Sequence, residues 1–181
     1  RARVAEHPRI LQSWAEASAF SRQRSACTLD ERYGDGAGET LDVFRAARGP
    51  GAPVFVFIHG GYWRALDKSD VSFIAPSLAA DGAVVVVPNY ALAPSVSIEH
   101  IVMQLVRAVE WTWRHAAEHG GDPSRIVVGG HSAGGHLAAM MLSCRWRDVA
   151  PDLPQQPLLG ALSISGIYDL EPLRLAPFLQ A

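Results

Sequence analysis

The chain is short of cysteine, almost without lysine, and free of long apolar runs. Its two cysteines, Cys27 and Cys144, do not make a disulfide framework and read as small buried or idle thiols. Lys68 is the sole lysine among 16 basic residues, a bias that reads as genome composition rather than arginine-based recognition. With a net charge of −2, the chain offers no basic surface to nucleic acid or to an anionic membrane. Apolar stretches such as Ala83–Val87 fall far short of the roughly 20 residues that span a bilayer. No apolar signal-type segment opens the chain. The expectation is a soluble, cytoplasmic protein with neither nucleic acid nor membrane as partner. The first residue is Arg1 rather than methionine, so the N-terminus reads as trimmed or not recorded.

What is present points to one folded domain. Of 181 residues, 49% are hydrophobic and 19% charged, enough for a real core. A loose helix over 8–26 predicts an N-terminal helical extension, residues 1–28. Leu29–Tyr33 and Thr40–Ala46 read as strands joined by the glycine-rich hairpin loop 34–38. Val54–Ile58 and Val84–Val87 are continuous apolar strands, the pattern of burial on both faces. Between them Lys68–Ala80 reads as one helix, with Asp67 as N-cap. From Ser97 to Glu118, apolar residues at 98, 101, 102, 105, 109 and 113 keep helical spacing. A strand follows at 125–129, a helix at 135–142, and a last strand at Leu158–Ser165. An antiparallel entry followed by strand–helix alternation predicts an α/β fold, with a mostly parallel sheet flanked by helices.

Gly130-His131-Ser132-Ala133-Gly134 lies between that strand and its helix. Strand, G-x-S-x-G and helix are what a nucleophile elbow needs, because only a very tight turn lifts one serine above the sheet. A serine hydroxyl is a weak nucleophile and also needs donors for the developing oxyanion. His59-Gly60-Gly61-Tyr62-Trp63 follows directly on the strand ending at Ile58, and its glycines let main-chain N–H groups approach such an oxygen. Ala133, just after the serine, supplies another. The segment lacks the Lys-Ser/Thr pair of a phosphate-binding P-loop.

These strings, with Tyr90-Ala91-Leu92-Ala93-Pro94, resemble the hormone-sensitive-lipase-like branch of the α/β-hydrolases. His59-Gly60-Gly61-Tyr62-Trp63 with Asp67-Lys68 resembles more narrowly the kynurenine formamidase (arylformamidase) and small bacterial esterase group. The resemblance covers residues 29 to 170 and implies an α/β-hydrolase fold and serine hydrolysis of a small carboxylic ester or aryl formamide. It implies Ser132 as nucleophile, with Gly60, Gly61, Tyr62 and Ala133 as oxyanion donors. No metal or organic cofactor is implied. In that family the acid and the base follow the serine, yet the last histidine is His136. The strand 158–165 resembles the family's sixth of eight. Residues 29–181 therefore read as a hydrolase core through its sixth strand, with acid and base expected beyond residue 181. A fold ending there would expose a sheet edge, a route to association as a homo-oligomer. The alternative is a hydrolase-fold module that binds without turnover.

The remaining polar residues have plainer readings. His131 should point away from the serine. His136, one helical turn on, is expected to hydrogen-bond within the core. His59 is expected to brace the oxyanion loop rather than transfer protons. His115-Ala116-Ala117-Glu118-His119 matches an H-x-x-E-H zinc pattern, but at a helix C-terminus histidines are favoured by the dipole. Asp169 reads as a loop cap. Trp63 and Tyr90 either wall a substrate pocket or fill the core.

Overall fold

A computed structural model describes residues 4–174. Its six-stranded sheet runs β1-β2-β4-β3-β5-β6. These strands are β1 (Cys27–Arg32), β2 (Thr40–Phe44), β3 (Ala52–Ile58), β4 (Val84–Pro88), β5 (Gly121–His131) and β6 (Leu158–Ile164). β1 and β2 form the antiparallel entry, β2 also runs antiparallel to β4, and β4, β3, β5 and β6 are parallel.

Helices cover both faces. On one lie α4 (Ile98–His115) and α5 (Ala133–Leu142). Ile101, Leu105, Ala108 and Val109 of α4 pack with Leu137, Ala138 and Met141 of α5 against Val54, Val56, Ile58, Ile126 and Val128. Ser97 caps α4 by accepting from the His100 amide at 3.2 Å. On the other face, α2 (Lys68–Val71) and α3 (Ala75–Ala80) bring Val71 and Ala75 onto Phe44, Phe57, Val85 and Val87. The N-terminal helix α1 (His7–Arg24) packs outside them, with Trp14 5.4 Å from Phe73 between ring centroids. Two short helices, α6 (Trp146–Val149) and α7 (Glu171–Arg174), flank β6 in sequence.

The single helix expected over 68–80 is instead two, separated by a 3₁₀ turn at Ser72–Ile74. Pro76 has no N–H to give the Ser72 carbonyl four residues back. The Ala75 amide takes that carbonyl instead, in the tighter i→i−3 bond. Likewise the helix starting at Ile98 ends at His115 and finishes in a 3₁₀ turn, Ala116–His119, closed by left-handed Gly120. β5 begins at Gly121, four residues earlier than its apolar run, because Gly121 already pairs with Ala52.

Candidate active site

The topology reverses at β3: β4 lies on one side of it and β5 on the other. At such a switch point the carboxyl ends of adjacent strands open a crevice. Ile58 and Gly130 are paired neighbours, so the segment after β3 and the turn after β5 meet there.

The turn is held by close approach. Ser132 has φ 57° and ψ −117°, a conformation that costs a non-glycine residue about 1–3 kcal/mol. Its amide donates to the Ile164 carbonyl at 2.8 Å, and its own carbonyl accepts from the His136 amide at 3.1 Å. A Cβ on Gly134 would lie 2.6 Å from the His59 carbonyl oxygen, and one on Gly60 would lie 2.7 Å from that of His131 and 3.4 Å from the Ser132 Cβ. Glycine at both positions is a condition for the two segments to touch. Ser132 is half-buried, and its hydroxyl forms no hydrogen bond to a histidine among the described residues. Ala133 opens α5, so its N–H has no acceptor within the helix.

The segment after β3 is the more strained of the two. Gly61, Tyr62, Trp63 and Leu66 all have positive φ, at 102°, 56°, 57° and 72°. His59 anchors its start. The imidazole is fully buried and stacks on Tyr90 at 4.1 Å, with the rings 7° from parallel. Its Nδ1 lies 2.9 Å from the Gly60 carbonyl and its Nε2 3.2 Å from Asn89 Oδ1. Both partners are acceptors, and a neutral imidazole has one N–H to offer. Burial pushes the pKa down, outweighing the Gly60 and Asn89 contacts and the Asp67 and Asp70 charges. The Tyr90 hydroxyl donates to the His59 carbonyl at 2.9 Å. Further on, the Ala93 amide donates to the Trp63 carbonyl at 2.7 Å, and the Ala91 amide to Gln104 Oε1 at 2.9 Å. Gln104 in turn donates to the buried Glu39, which also pairs with Arg107. The Tyr90–Pro94 string thus spaces this segment from α4.

Other candidates fall in several places. His131 is exposed. His136 is buried, as expected, but no hydrogen bond reaches its Nδ1 among the described residues. The expected core hydrogen bond is not found among the described residues: the ring meets Trp63 edge-on instead, at 5.3 Å and 84°, and burial lowers its pKa. Trp63, 2% exposed, lines a cavity of about 540 Å³ together with Tyr62, Ala93, Ile98, Leu170 and Leu173. Tyr90 is equally buried and packs in the core. His115 Nδ1 lies 3.0 Å from Glu118 Oε1, and no cluster of three or more metal-ligating side chains occurs among the described residues. Asp169 accepts from the Glu171 amide at 3.1 Å, the expected cap. Cys27 and Cys144 are free thiols.

A family model for the alpha/beta hydrolase fold matches residues 55–176. The chain belongs to the α/β-hydrolase family. It is 36% identical to a kynurenine formamidase of Danio rerio over 94% of this chain and 55% of that one. It is 32% identical to the esterase LipQ of Mycobacterium tuberculosis over 82% and 37% respectively. A crystal structure of a putative thioesterase from Silicibacter sp. superposes with TM-score 0.79 at 35% identity, over 93% of this chain and 62% of that one. This hydrolase chain spans about half the length of the formamidases it matches. No helix among its described residues is long and apolar enough to cross a membrane.

Sequence reasoning missed two parts of the site. Asn89 carries no reading in the sequence, and Lys68 enters there only as the sole lysine, as the start of a helix and within the Asp67-Lys68 string, not as a buried ion-pair partner. Lys68 is 3% exposed, with Nζ 2.6 Å from both Asp30 Oδ1 and Asp42 Oδ1. The one signal in the sequence is that Lys68 is its only lysine, and a lysine is almost never fully buried unless paired.

Proposed function

We propose that this chain carries the nucleophile half of a serine hydrolase acting on a small carboxylic ester or an aryl formamide. The observation that supports the reading is the positive-φ Ser132 turn packed against Gly60, with the Ser132 Cβ next to the main-chain loop after β3. Ser132 Oγ attacks the carbonyl carbon, giving a tetrahedral oxyanion. The N–H groups of Gly60 or Gly61, Tyr62 and Ala133 hold that oxygen, and Ala133 adds the positive end of α5. Collapse expels the alcohol or arylamine and leaves an acyl-serine, which water hydrolyses. The cavity beside Trp63 receives the acyl or leaving group, with Tyr90 behind it in the core. The base that takes the serine proton and the carboxylate that orients it fall beyond residue 181, outside the described residues. The domain division into an extension, 1–28, and a core from 29 onward belongs to the same reading.

A fluorophosphonate probe on the full-length protein tests this. Stoichiometric labelling that disappears in Ser132→Ala is expected, together with turnover of a p-nitrophenyl ester or an N-formylaniline. A folded protein that takes up no label reduces the chain to a binding module.

A further inference from the structure

Three non-glycine residues with positive φ within five positions do not hold themselves in place; such backbone persists only where its surroundings fix it. The segment 60–66 has Tyr62, Trp63 and Leu66 in that state. The side chain of Asn89, just past β4, reaches both of its ends. Oδ1 lies 3.2 Å from His59 Nε2 at the entry and accepts from the Lys68 amide at 3.3 Å at the exit. Nδ2 donates to Asp67 Oδ2 at 2.7 Å. The two ends are nine residues apart in sequence and meet on one carboxamide.

The exit is fixed a second time from below. Asp67 accepts from the Ser69 amide at 2.9 Å and its own amide donates to Asp70 Oδ2 at 2.9 Å. The Lys68 ammonium is held between Asp30 and Asp42, and Asp42 also faces Arg22 of α1 at 3.5 Å. Asn89 is thus the link between a rigid polar floor and the strained segment above it.

We propose that Asn89 is a positioning residue: its carboxamide closes the 59–68 segment into the one conformation that aims main-chain donors at the Ser132 oxygen. The catalytic part of this statement rests on the hydrolase reading above; the structural part does not. Asn89 touches no reacting atom. Its loss should let the segment relax toward less strained φ values and carry the donors out of line, where misplacement by about 1 Å costs up to about 100-fold in rate.

The test uses the full-length protein, its Asn89→Ala and Asn89→Asp variants, and two readouts. The first is amide hydrogen exchange of residues 60–66, expected to quicken at least about tenfold in Asn89→Ala while α5 stays protected. The second is ester hydrolysis, where kcat should fall about 10- to 100-fold with KM within about twofold, because aim is lost rather than ground-state binding. Asn89→Asp keeps the acceptor for the Lys68 amide but sets a second carboxylate against Asp67, with Asp70, Lys68, His59 and Tyr33, whose hydroxyl donates to the residue 89 carbonyl at 2.6 Å, as the other charged or titratable groups around it. It should recover exchange protection and relative kcat as pH falls from 8 to 5.5, where one shared proton restores the lost donor. If Asn89→Ala does not fold, the Asp variant decides alone, and a pH-independent ratio to wild type overturns the proposal. Unchanged exchange at 60–66 in Asn89→Ala also overturns it, whatever the activity. A wild type that resists labelling at Ser132, yet loosens at 60–66 in Asn89→Ala, keeps the tie and sinks the hydrolase reading instead.

Discussion

Two neighbouring segments at the carboxyl edge of the sheet hold strained backbone by different means. The turn around Ser132 is locked by exclusion: there is no room at Gly130 or Gly134 for any side chain, and β3 closes over it. The segment 59–68 is locked by polar ties, through His59, Asn89, Asp67 and Lys68. Exclusion depends on shape and is indifferent to pH and salt. Polar ties depend on protonation and on each partner's presence. On the proposed hydrolase reading, the turn presents one atom in one place, whereas the segment presents several N–H groups whose directions all have to agree, and each restraint suits that task.

The largest expected effect lies in the turn. Ser132→Ala removes a hydroxyl without altering the packing around it, so stability should change by less than about 1 kcal/mol while kcat falls on the order of 10⁶-fold. Steady-state kinetics beside a denaturant melt of the full-length protein measure both. A Ser132→Ala enzyme with near-normal turnover would show that the turn is strained for some purpose other than nucleophilic attack.

The next effect belongs to the polar segment. Lys68→Met strips the ammonium from between two carboxylates and leaves Asp42, fully buried, with the more distant Arg22 and the Asp30 amide. Breaking a buried pair from one side costs about 3–5 kcal/mol, and the surviving arginine puts this case at the lower end. Urea midpoints read it. The double variant Lys68→Met with Asp42→Leu should regain part of the loss, since an apolar pair leaves no charge stranded. A loss below about 1 kcal/mol would mean the floor under the segment is not rigid and that polar ties do not restrain it.

Gly134→Ala probes exclusion directly. The new methyl would collide with main-chain oxygens of Ile58 and His59, and backbone cannot swing aside as a long side chain can. About 1–3 kcal/mol of destabilisation is expected, with fluorophosphonate labelling slowed as well because the turn must open to admit it. A neutral outcome in both assays would remove shape as the turn's restraint.

How much of this was legible beforehand follows the same division. The turn could be read because exclusion writes itself into local sequence: glycines at fixed offsets around Ser132, between an apolar strand and a helix. The mostly parallel sheet with its antiparallel entry followed from apolar runs alternating with helical spacing such as that of α4; the strand order did not. The polar segment could not be read in the same way. Asp30, Asp42, Lys68 and Asn89 come together from four separate elements, and a side chain that bonds across such distances leaves no periodicity. The helix expected over 68–80 broke for a reason that was visible, Pro76, but its effect on the Ser72 carbonyl emerges only when the i−4 partner is asked for. The position of His136 was foreseen from helical spacing and its hydrogen bond was not found, because spacing fixes a Cα and not a partner.

The smallest effect separates the two restraints by pH alone. Burial holds the pKa of His59 below the usual 6.5, and those of His119 and His136 likewise. The unfolded chain therefore takes up these protons first as pH falls. Stability from this source is intact above about pH 6.5 and is lost as pH drops from there toward each depressed folded-state value, at up to about 1.4 kcal/mol per pH unit for each group. His59→Gln keeps a donor for one of its two acceptors and cannot titrate. Its stability–pH slope between about pH 6.5 and 5 should be shallower than wild type by up to one proton, read from urea midpoints across that window. Gly134→Ala, which alters only shape, should lower stability by the same amount at every pH. If both variants kept the wild-type slope, His59 would not be neutral in the folded chain. Its contacts with Gly60 and Asn89, both acceptors, would then be those of an imidazolium, and the polar segment would carry a buried positive charge beneath the main-chain donors.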